Sequence, residues 1–198
     1  DHLLAFYRSW ESVRHLTFDG LIITGAPIET MPFEEVKYWD ELTKILDWSQ
    51  THVQETLNIC WGGQASLYHF HKVPKYNLAE KLFGVFPHRI ETLNTTFLRG
   101  FTNSFPVPVS RHSENRRADI EAVPDLKILA SSDEAGMCLI RDEAHRQLIM
   151  LNHLEYEHDT LAEEYQRDID AGEEIKPPSY YFPENDPTQE PVNFWRPL

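Results

Sequence analysis

The chain has 198 residues, of which 41% are hydrophobic and 12% aromatic, enough for one domain with a substantial core. Its 18 Lys and Arg residues against 32 Asp and Glu residues give a formal net charge of −14, which argues against nucleic acid or an anionic membrane as a partner. No apolar run approaches 18 residues, so no transmembrane helix is predicted. Two cysteines are too few for a disulfide scaffold, and we expect a cytoplasmic protein.

Strands and helices alternate in the first half of the predicted fold. The run "LIIT" at 21–24 predicts a buried strand that leads into a Gly/Pro loop. Apolar residues at three- and four-residue spacing predict an amphipathic helix from Glu34 to about Val53. "TLNIC" at 56–60 predicts a second strand, and "GQASLYHF" after it predicts a helix.

The second half predicts a cluster of strands and one charged helix. Five short apolar runs are interpreted as strands: "FGVF" at 83–86, "FPVPV" at 105–109, "LKILA" at 126–130, "MCLIR" at 137–141 and "QLIMLN" at 147–152. A helix over 158–172 has Gly172 as its C-cap. Together these elements predict a three-layer α/β domain with a mostly parallel sheet over residues 1–176. Residues 177–198 are predicted as a Pro-rich extended segment of the same domain, and we expect the chain to be trimmed at both ends.

The stretch "NICWGGQ" matches the pattern of a nucleophile elbow. A strand ends at Ile59, Cys60 occupies the tight turn, and Gly62 and Gly63 let a helix start close by. The helix N-terminus favours the thiolate of such a cysteine, and the next backbone N–H can donate to an oxyanion. The alternative is a small apolar residue at a strand end, and this stretch alone leaves both interpretations open.

A thiolate nucleophile needs a general base and a group that orients the base. His153 follows an apolar strand, and in an extended segment Glu155 points the same way as His153. Glu155 can then accept a hydrogen bond from one ring nitrogen while the other faces Cys60. By itself the pair is more often a strand-end histidine with an unrelated glutamate. Together with the cysteine elbow it favours a Cys60–His153–Glu155 triad.

The remaining cysteine and histidines predict no further site. Cys138 is interpreted as a mid-strand core residue. His69 and His71 lie two apart on the presumed helix, so they face different ways and make a poor metal pair. His145 is interpreted as a surface residue. We therefore predict no metal site and no bound cofactor.

Seven blocks in order along essentially the whole chain carry a family resemblance. They are "FDGLIITGAPIE", "PFEEVKYWDEL", "ICWGGQASLYHF", "EKLFGVF", "SRHSE", "HLEYEHDTLAEEYQRD" and "YYFPENDPTQEP". The chain thereby resembles the homoserine O-succinyltransferase/O-acetyltransferase family of methionine biosynthesis. That resemblance implies a class I glutamine amidotransferase-like (flavodoxin-like) fold, which shares the cysteine elbow and the His-x-Glu pair.

The resemblance implies covalent acyl transfer from an acyl-CoA. Cys60 would form an acyl-thioester, and His153, oriented by Glu155, would activate the homoserine hydroxyl, which predicts ping-pong kinetics. Backbone N–H groups of Trp61 and of the loop with Gly25 and Ala26 would form the oxyanion hole.

Further site residues follow from the same motifs. Lys81, Ser110 and Arg167 would bind the substrate; without the resemblance, the two cations are ordinary solvated charges. Acyl-CoA and an amino acid would be the small-molecule partners, and a homodimer is expected.

Glu29, in "TGAPIE", bears on the choice of acyl group. In the resembled family a glycine at this position accompanies succinyl-CoA and a glutamate accompanies acetyl-CoA. A carboxylate there repels and displaces the distal carboxylate of a succinyl group, so acetyl-CoA is favoured. The alternative is that Glu29 only begins the following loop or helix.

Departures from the family pattern keep other functions open. Leu154 replaces the proline usual between the catalytic His and Glu, "GGQ" replaces the commoner "GAQ", and an N-terminal portion has no counterpart. Transfer of a succinyl group remains an alternative, as does L-serine as acceptor, since a pocket discriminates one methylene by only about 1–3 kcal/mol. A glutamine amidotransferase and a non-catalytic binding module are the alternatives from other classes.

Overall fold

The computed structural model describes residues 6–195. Its strands are β1 Phe18–Ile23, β2 Val53–Ile59, β3 Tyr76–Ile90, β4 Ser104–Glu114, β5 Leu126–Ser132, β6 Gly136–Asp142 and β7 Gln147–Met150. They form one sheet in the order β1-β2-β7-β6-β5-β3-β4. The ends of the predicted domain and tail, residues 1–5 and 196–198, lie outside the described part of the chain.

Helices connect and cover these strands. They are α1 Trp10–Val13, α2 Trp39–His52, α3 Trp61–His71, α4 Arg117–Glu121 and α5 Thr160–Asp170, with 3-10 helices at Phe33–Glu35, Thr96–Leu98 and Pro183–Asn185. Between residues 6 and 195, no helix is both long enough and apolar enough to cross a bilayer.

The sheet is mixed, whereas the sequence predicted a mostly parallel one. β1 is parallel to β2 and β2 to β7, but the other four neighbouring pairs are antiparallel. The turns at 133–135 and 143–146 join β5 to β6 and β6 to β7, and such short turns cannot make the crossover that a parallel pair needs. The βαβ pattern predicted in the first half is present, because α2 links the parallel strands β1 and β2.

Helix α2 begins at Trp39 and not at Glu34 as predicted. Glu34 belongs to a 3-10 helix, and Val36 then takes extended backbone angles that separate this turn from α2. The apolar face on which the prediction rested is buried at Leu42 and Leu46.

The two faces of the central strands pack against different partners. Ile140 and Ile149 are paired across β6 and β7 and pack against Leu67 of α3. Leu139 and Met150, the neighbouring pair, pack with side chains of β4. Helices therefore cover one face, and the curled sheet closes over the other.

The Pro-rich C-terminal segment lies along β3 and α5. The Ser179 N–H donates to the Phe83 carbonyl at 2.9 Å, and the Ser179 carbonyl accepts from the Val85 N–H at 2.8 Å. Beyond this bridge, Tyr181 and Trp195 are buried in a cluster with residues of α5.

Candidate active site

The carboxyl ends of the three parallel strands meet at one edge of the sheet. β1 leads into Thr24 and Gly25, β2 into Cys60, and β7 into the segment that ends at His153. The Cys60 N–H donates to the Met150 carbonyl at 2.7 Å, so β2 and β7 stay paired up to the cysteine. Side chains that follow parallel strands converge at such an edge, which is where ligands bind in open α/β sheets.

Cys60 has a backbone conformation that few non-glycine residues adopt. Its φ is 53° and its ψ is −120°, and it is the N-cap of α3. A Cβ on Gly62 would lie 2.8 Å from the Ile23 carbonyl oxygen, and one on Gly63 would lie 2.8 Å from Ile149 Cγ2. The two glycines thus let the first turn of α3 lie in close contact with β1 and β7. This is the backbone geometry of a nucleophile elbow.

His153 interacts with both Glu155 and Cys60. Its Nδ1 lies 2.7 Å from Glu155 Oε1, which leaves Nε2 for the sulfur. Burial lowers the pKa of His153, but hydrogen bonds with Cys60 and Glu155 outweigh burial and raise the pKa to about 9. The three residues therefore meet the geometric requirements of a nucleophile, a base and an orienting carboxylate.

The segment that carries His153 is fixed on several sides. Its N–H donates to the Pro108 carbonyl at 2.9 Å, and its ring stacks on Tyr156 with centroids 4.2 Å apart. The preceding Asn152 accepts a hydrogen bond from Arg111 at 2.6 Å and donates to His88 Nε2 at 2.9 Å.

Arg111 and His88 are residues that the sequence analysis missed. Burial lowers the pKa of both, that of His88 to about 4. Strand alternation was the available signal, because it places Arg111 on the same face as the buried Val107 and Val109. Charged residues are so seldom buried that the signal was easy to overlook.

The loop after β1 contacts the cysteine directly. A Cβ on Gly25 would lie 3.1 Å from Cys60 Cβ and 3.5 Å from its Sγ, so the backbone of Gly25 and Ala26 passes beside the sulfur. The Trp61 N–H is the first of α3 and has no acceptor within the helix. The Trp61 side chain is buried in the core, so only its backbone can serve the site.

These residues line a cleft of about 660 Å³. Every predicted site residue except Trp61 lines it: Gly25, Ala26, Glu29, Cys60, Lys81, Ser110, His153, Glu155 and Arg167. The cleft also contains residues that the sequence analysis did not single out: Thr24, Pro27, Thr30, His112, Tyr156 and Glu164.

Glu164 joins three of the lining residues. Its carboxylate accepts from Ser110 Oγ at 2.5 Å, from Tyr156 OH at 2.8 Å and from Lys81 Nζ at 3.3 Å. Glu164 lies one helical turn from Arg167 on α5, so the helical spacing could have predicted that both residues face the site. Acidic residues on helices are usually exposed, however, and Glu164 did not stand out among them.

The two predicted substrate-binding cations differ in exposure. Lys81 is 8% exposed and lies 2.8 Å from Asp168 Oδ2. Arg167 is 65% exposed and donates through Nε and Nη2 to Asp168 Oδ1. A guanidinium has five N–H donors, so Arg167 can bind a second carboxylate while it holds Asp168.

Glu29 also lines the cleft, on the loop that follows β1. Lys75 supports its loop, since Nζ donates to the backbone carbonyls of Glu29 and Met31. Burial lowers the pKa of Lys75, while the charge of Glu29 opposes that shift.

The remaining cysteine and histidines are placed as follows. Cys138 is fully buried in the core, which confirms that prediction. His145, predicted to lie on the surface, is partly exposed, with 26% of its side chain accessible, and its ring stacks on Phe70 at 4.1 Å. Within the described residues, His71, Asp142 and His145 form a group of potential metal ligands outside the cleft.

Comparison with known proteins gives relatives along the whole chain. The family model described as "HTS: Homoserine O-succinyltransferase" matches residues 1–198. A homoserine O-acetyltransferase of Allorhizobium ampelinum is 57% identical over 196 residues, covering 99% of this chain and 63% of that protein. One of Rhizobium rhizogenes is 55% identical and covers 99% and 64%. The chain thus spans a little under two thirds of the length of these relatives.

Solved structures share the fold at low sequence identity. A glutamine amidotransferase from Thermotoga maritima matches with a TM-score of 0.62 and 14% identity, covering 79% of this chain and 66% of that one. A glutamine amido transferase from Methylobacillus flagellatus matches with a TM-score of 0.59 and 10% identity, covering 89% and 83%. The predicted class I glutamine amidotransferase-like α/β fold is confirmed.

Proposed function

The chain belongs to the homoserine O-succinyltransferase family, and on that premise we propose that it carries the acyl-transfer site of a homoserine O-acetyltransferase acting in methionine biosynthesis. The observation that carries the proposal is the strained Cys60, hydrogen-bonded to His153, in the lining of an open cleft. A thiolate beside an imidazolium is a ready nucleophile, and the cleft gives an acyl-CoA access to it.

In the first half-reaction, the Cys60 thiolate attacks the carbonyl carbon of the acyl-CoA thioester. Negative charge develops on the carbonyl oxygen, where the N–H groups of Trp61 and the Gly25–Ala26 loop can donate to it. When the tetrahedral intermediate collapses, the C–S bond to CoA breaks and the CoA sulfur takes the proton of the His153 imidazolium. The products are free CoA, acyl-Cys60 and a neutral His153.

In the second half-reaction, neutral His153 accepts the hydroxyl proton of homoserine as its oxygen attacks the acyl-Cys60 carbonyl. Collapse breaks the C–S bond to Cys60, releases the O-acyl ester and restores the thiolate–imidazolium pair. Acylation of Cys60 removes the interaction that helps to raise the pKa of His153, so the imidazole becomes a neutral base when that step needs one.

Acetyl-CoA is the proposed donor and homoserine the proposed acceptor. The Glu29 carboxylate lines the cleft and disfavours the distal carboxylate of a succinyl group. Lys81, Ser110 and Arg167 also line the cleft, and the exposed guanidinium of Arg167 suits the carboxylate of an amino acid.

Intact-protein mass spectrometry tests the donor, the acceptor and the nucleophile together. The protein is incubated with acetyl-CoA or succinyl-CoA and then chased with homoserine or L-serine. We expect an adduct of acetyl mass on Cys60 that homoserine removes, and Glu29→Gly should admit succinyl-CoA. A succinyl adduct on the unaltered protein would contradict the Glu29 argument, and discharge by serine alone would identify a serine O-acetyltransferase.

The other classes of function give distinct results in the same assay. A glutamine amidotransferase, favoured only by the shared fold, would release ammonia from glutamine without any acyl-CoA. A non-catalytic module would form no adduct, and Cys60→Ala would leave its cellular role intact. We further propose that the protein needs no bound cofactor, acts in the cytoplasm and forms a homodimer, which sedimentation velocity can measure.

A further inference from the structure

The C-terminal end of α3 carries a compact group of three potential metal ligands. His71 Nε2 lies 2.6 Å from Asp142 Oδ2, and His145 Nδ1 lies 2.9 Å from the same oxygen. All three ligand atoms lie within 4.8 Å of one another. Two imidazole nitrogens and one carboxylate oxygen match the donor set of a zinc site with three protein ligands and one open position.

Three different elements bring these side chains together. His71 is the last residue of α3, Asp142 is the last residue of β6, and His145 lies in the turn to β7. The His145 backbone N–H donates to Asp142 Oδ1 at 3.1 Å, which orients the carboxylate so that Oδ2 faces both rings. Because His71 is 71 residues from Asp142 in the chain, residue spacing in the sequence could not predict that the three side chains meet.

Burial of the group is graded from the core to the solvent. The Asp142 side chain is 1% exposed, that of His71 8% and that of His145 26%. The protein therefore encloses the carboxylate, while the partly exposed His145 leaves a path for an ion and room for water as a fourth ligand.

We propose that His71, Asp142 and His145 bind one Zn²⁺ or a similar divalent transition-metal ion. Metal–ligand bonds of about 2.0–2.2 Å in tetrahedral geometry separate ligand atoms by roughly 3.3–3.6 Å. The rings then move away from Asp142 Oδ2 by about 0.5–0.8 Å on average. Each ring must also present a lone pair at the nitrogen that now bonds Asp142, which a tautomer shift achieves.

The proposed metal site is separate from the cleft and independent of the proposed acyl transfer. Helix α3 has 11 residues, so its two ends lie about 16 Å apart. An ion at its C-terminal end would tie the helix to the β6–β7 hairpin, while Cys60 caps the other end. The expected effect is on the stability of the helix that supports the elbow.

Calorimetric titration with ZnCl₂ tests the site. The protein is first treated with EDTA, dialysed, and alkylated at Cys60 with iodoacetamide so that the thiol cannot bind zinc. We expect one Zn²⁺ per chain and a Kd at least tenfold weaker in His71→Ala and His145→Ala. His69→Ala is the matched control, because His69 lies on the same helix and pairs with Asp47 at 2.7 Å, and it should leave the Kd unchanged.

Two further measurements make the result decisive. Zinc at a hundred times Kd should raise Tm by about 5 °C or more in the unaltered protein and not in His145→Ala. Co²⁺ should give visible d–d bands of a four-coordinate site that depend on the same residues. His145 is the most exposed ligand, so His145→Ala decides the test if Asp142→Asn does not fold. Absence of zinc binding, or equal binding by all variants, overturns the proposal.

Discussion

The protein contains two cysteine–histidine regions with opposite properties, one in the cleft and one in the core. In the cleft, half-buried Cys60 hydrogen-bonds His153, whose pKa rises to about 9. In the core, burial raises the pKa of Cys138 to about 12 and lowers that of His88 to about 4. Asn152 connects the core pair, and His153 is the next residue in the chain. The same two residue types therefore differ in protonation between the two regions: charged partners favour the protonated histidine in the cleft, and burial favours the neutral thiol and imidazole in the core. We expect the reactivity of each thiol to follow its charged partners and its exposure to solvent.

Replacing each cysteine by alanine should give the largest difference between the two regions, in activity for one and in stability for the other. Cys60→Ala should lower acyl transfer by at least about 10³-fold, because no other step in the proposed mechanism replaces the covalent intermediate. Cys138→Ala should keep the turnover and lose about 1–2 kcal/mol of unfolding free energy through a small cavity. Steady-state assays and urea titrations of both variants measure these effects. Equal losses of activity would contradict the division of roles.

Alkylation compares the two thiols in one unaltered protein. At pH 8 a thiol with a pKa of about 12 has a thiolate fraction of about 10⁻⁴, and Cys138 is also buried. Iodoacetamide should therefore label Cys60 at least about 10³ times faster than Cys138, as measured by peptide mass spectrometry. In urea the two rates should become similar, and labelling of Cys138 in the folded protein would break the comparison.

The core histidine should make stability depend on acid pH. His88 has a folded pKa of about 4, below the usual 6.5, so the unfolded chain binds its proton first as the pH falls. Its stabilising contribution is complete above pH 6.5 and declines by up to about 3 kcal/mol toward pH 4. Urea unfolding at pH 7, 5.5 and 4.5 measures the slope, which His88→Gln should reduce. If His88→Gln leaves the pH dependence of the unfolding free energy unchanged, other groups cause the acid sensitivity.

The elbow depends on the close approach of the α3 backbone to the end of β1. In Gly62→Ala the added Cβ would lie 2.8 and 2.9 Å from the carbonyl oxygens of Ile23 and Thr24. Relief of that contact should cost about 1–3 kcal/mol of stability and displace the loop beside Cys60, with a lower kcat. Gly20→Ala is the control, because its added Cβ would meet its nearest atom at 3.9 Å. Equal behaviour of the two variants would argue against a crowded elbow.

Local sequence patterns predicted the elbow and the His153–Glu155 pair because their geometry is local. A strand end, a cysteine and two glycines specify one turn, and extended backbone sets the direction of residues two apart. The sheet was predicted as mostly parallel, although only five or six residues separate the predicted strands at 126–130, 137–141 and 147–152. Such short gaps exclude the crossover of a parallel pair, so connection length was the signal for the antiparallel pairing. Glu164, Arg111 and the His71–Asp142–His145 group involve partners far apart in the chain, and their roles depend on tertiary contacts that no spacing encodes.

The bridge between Ser179 and Gly84 has a consequence for folding kinetics. It pairs the C-terminal segment with the middle of β3, the strand that also carries Lys81. Ser179 follows every strand of the sheet, so during synthesis this bridge is the last of the described β-contacts to become possible. The C-terminal segment is therefore added to the strand that bears Lys81 only after all seven strands have left the ribosome.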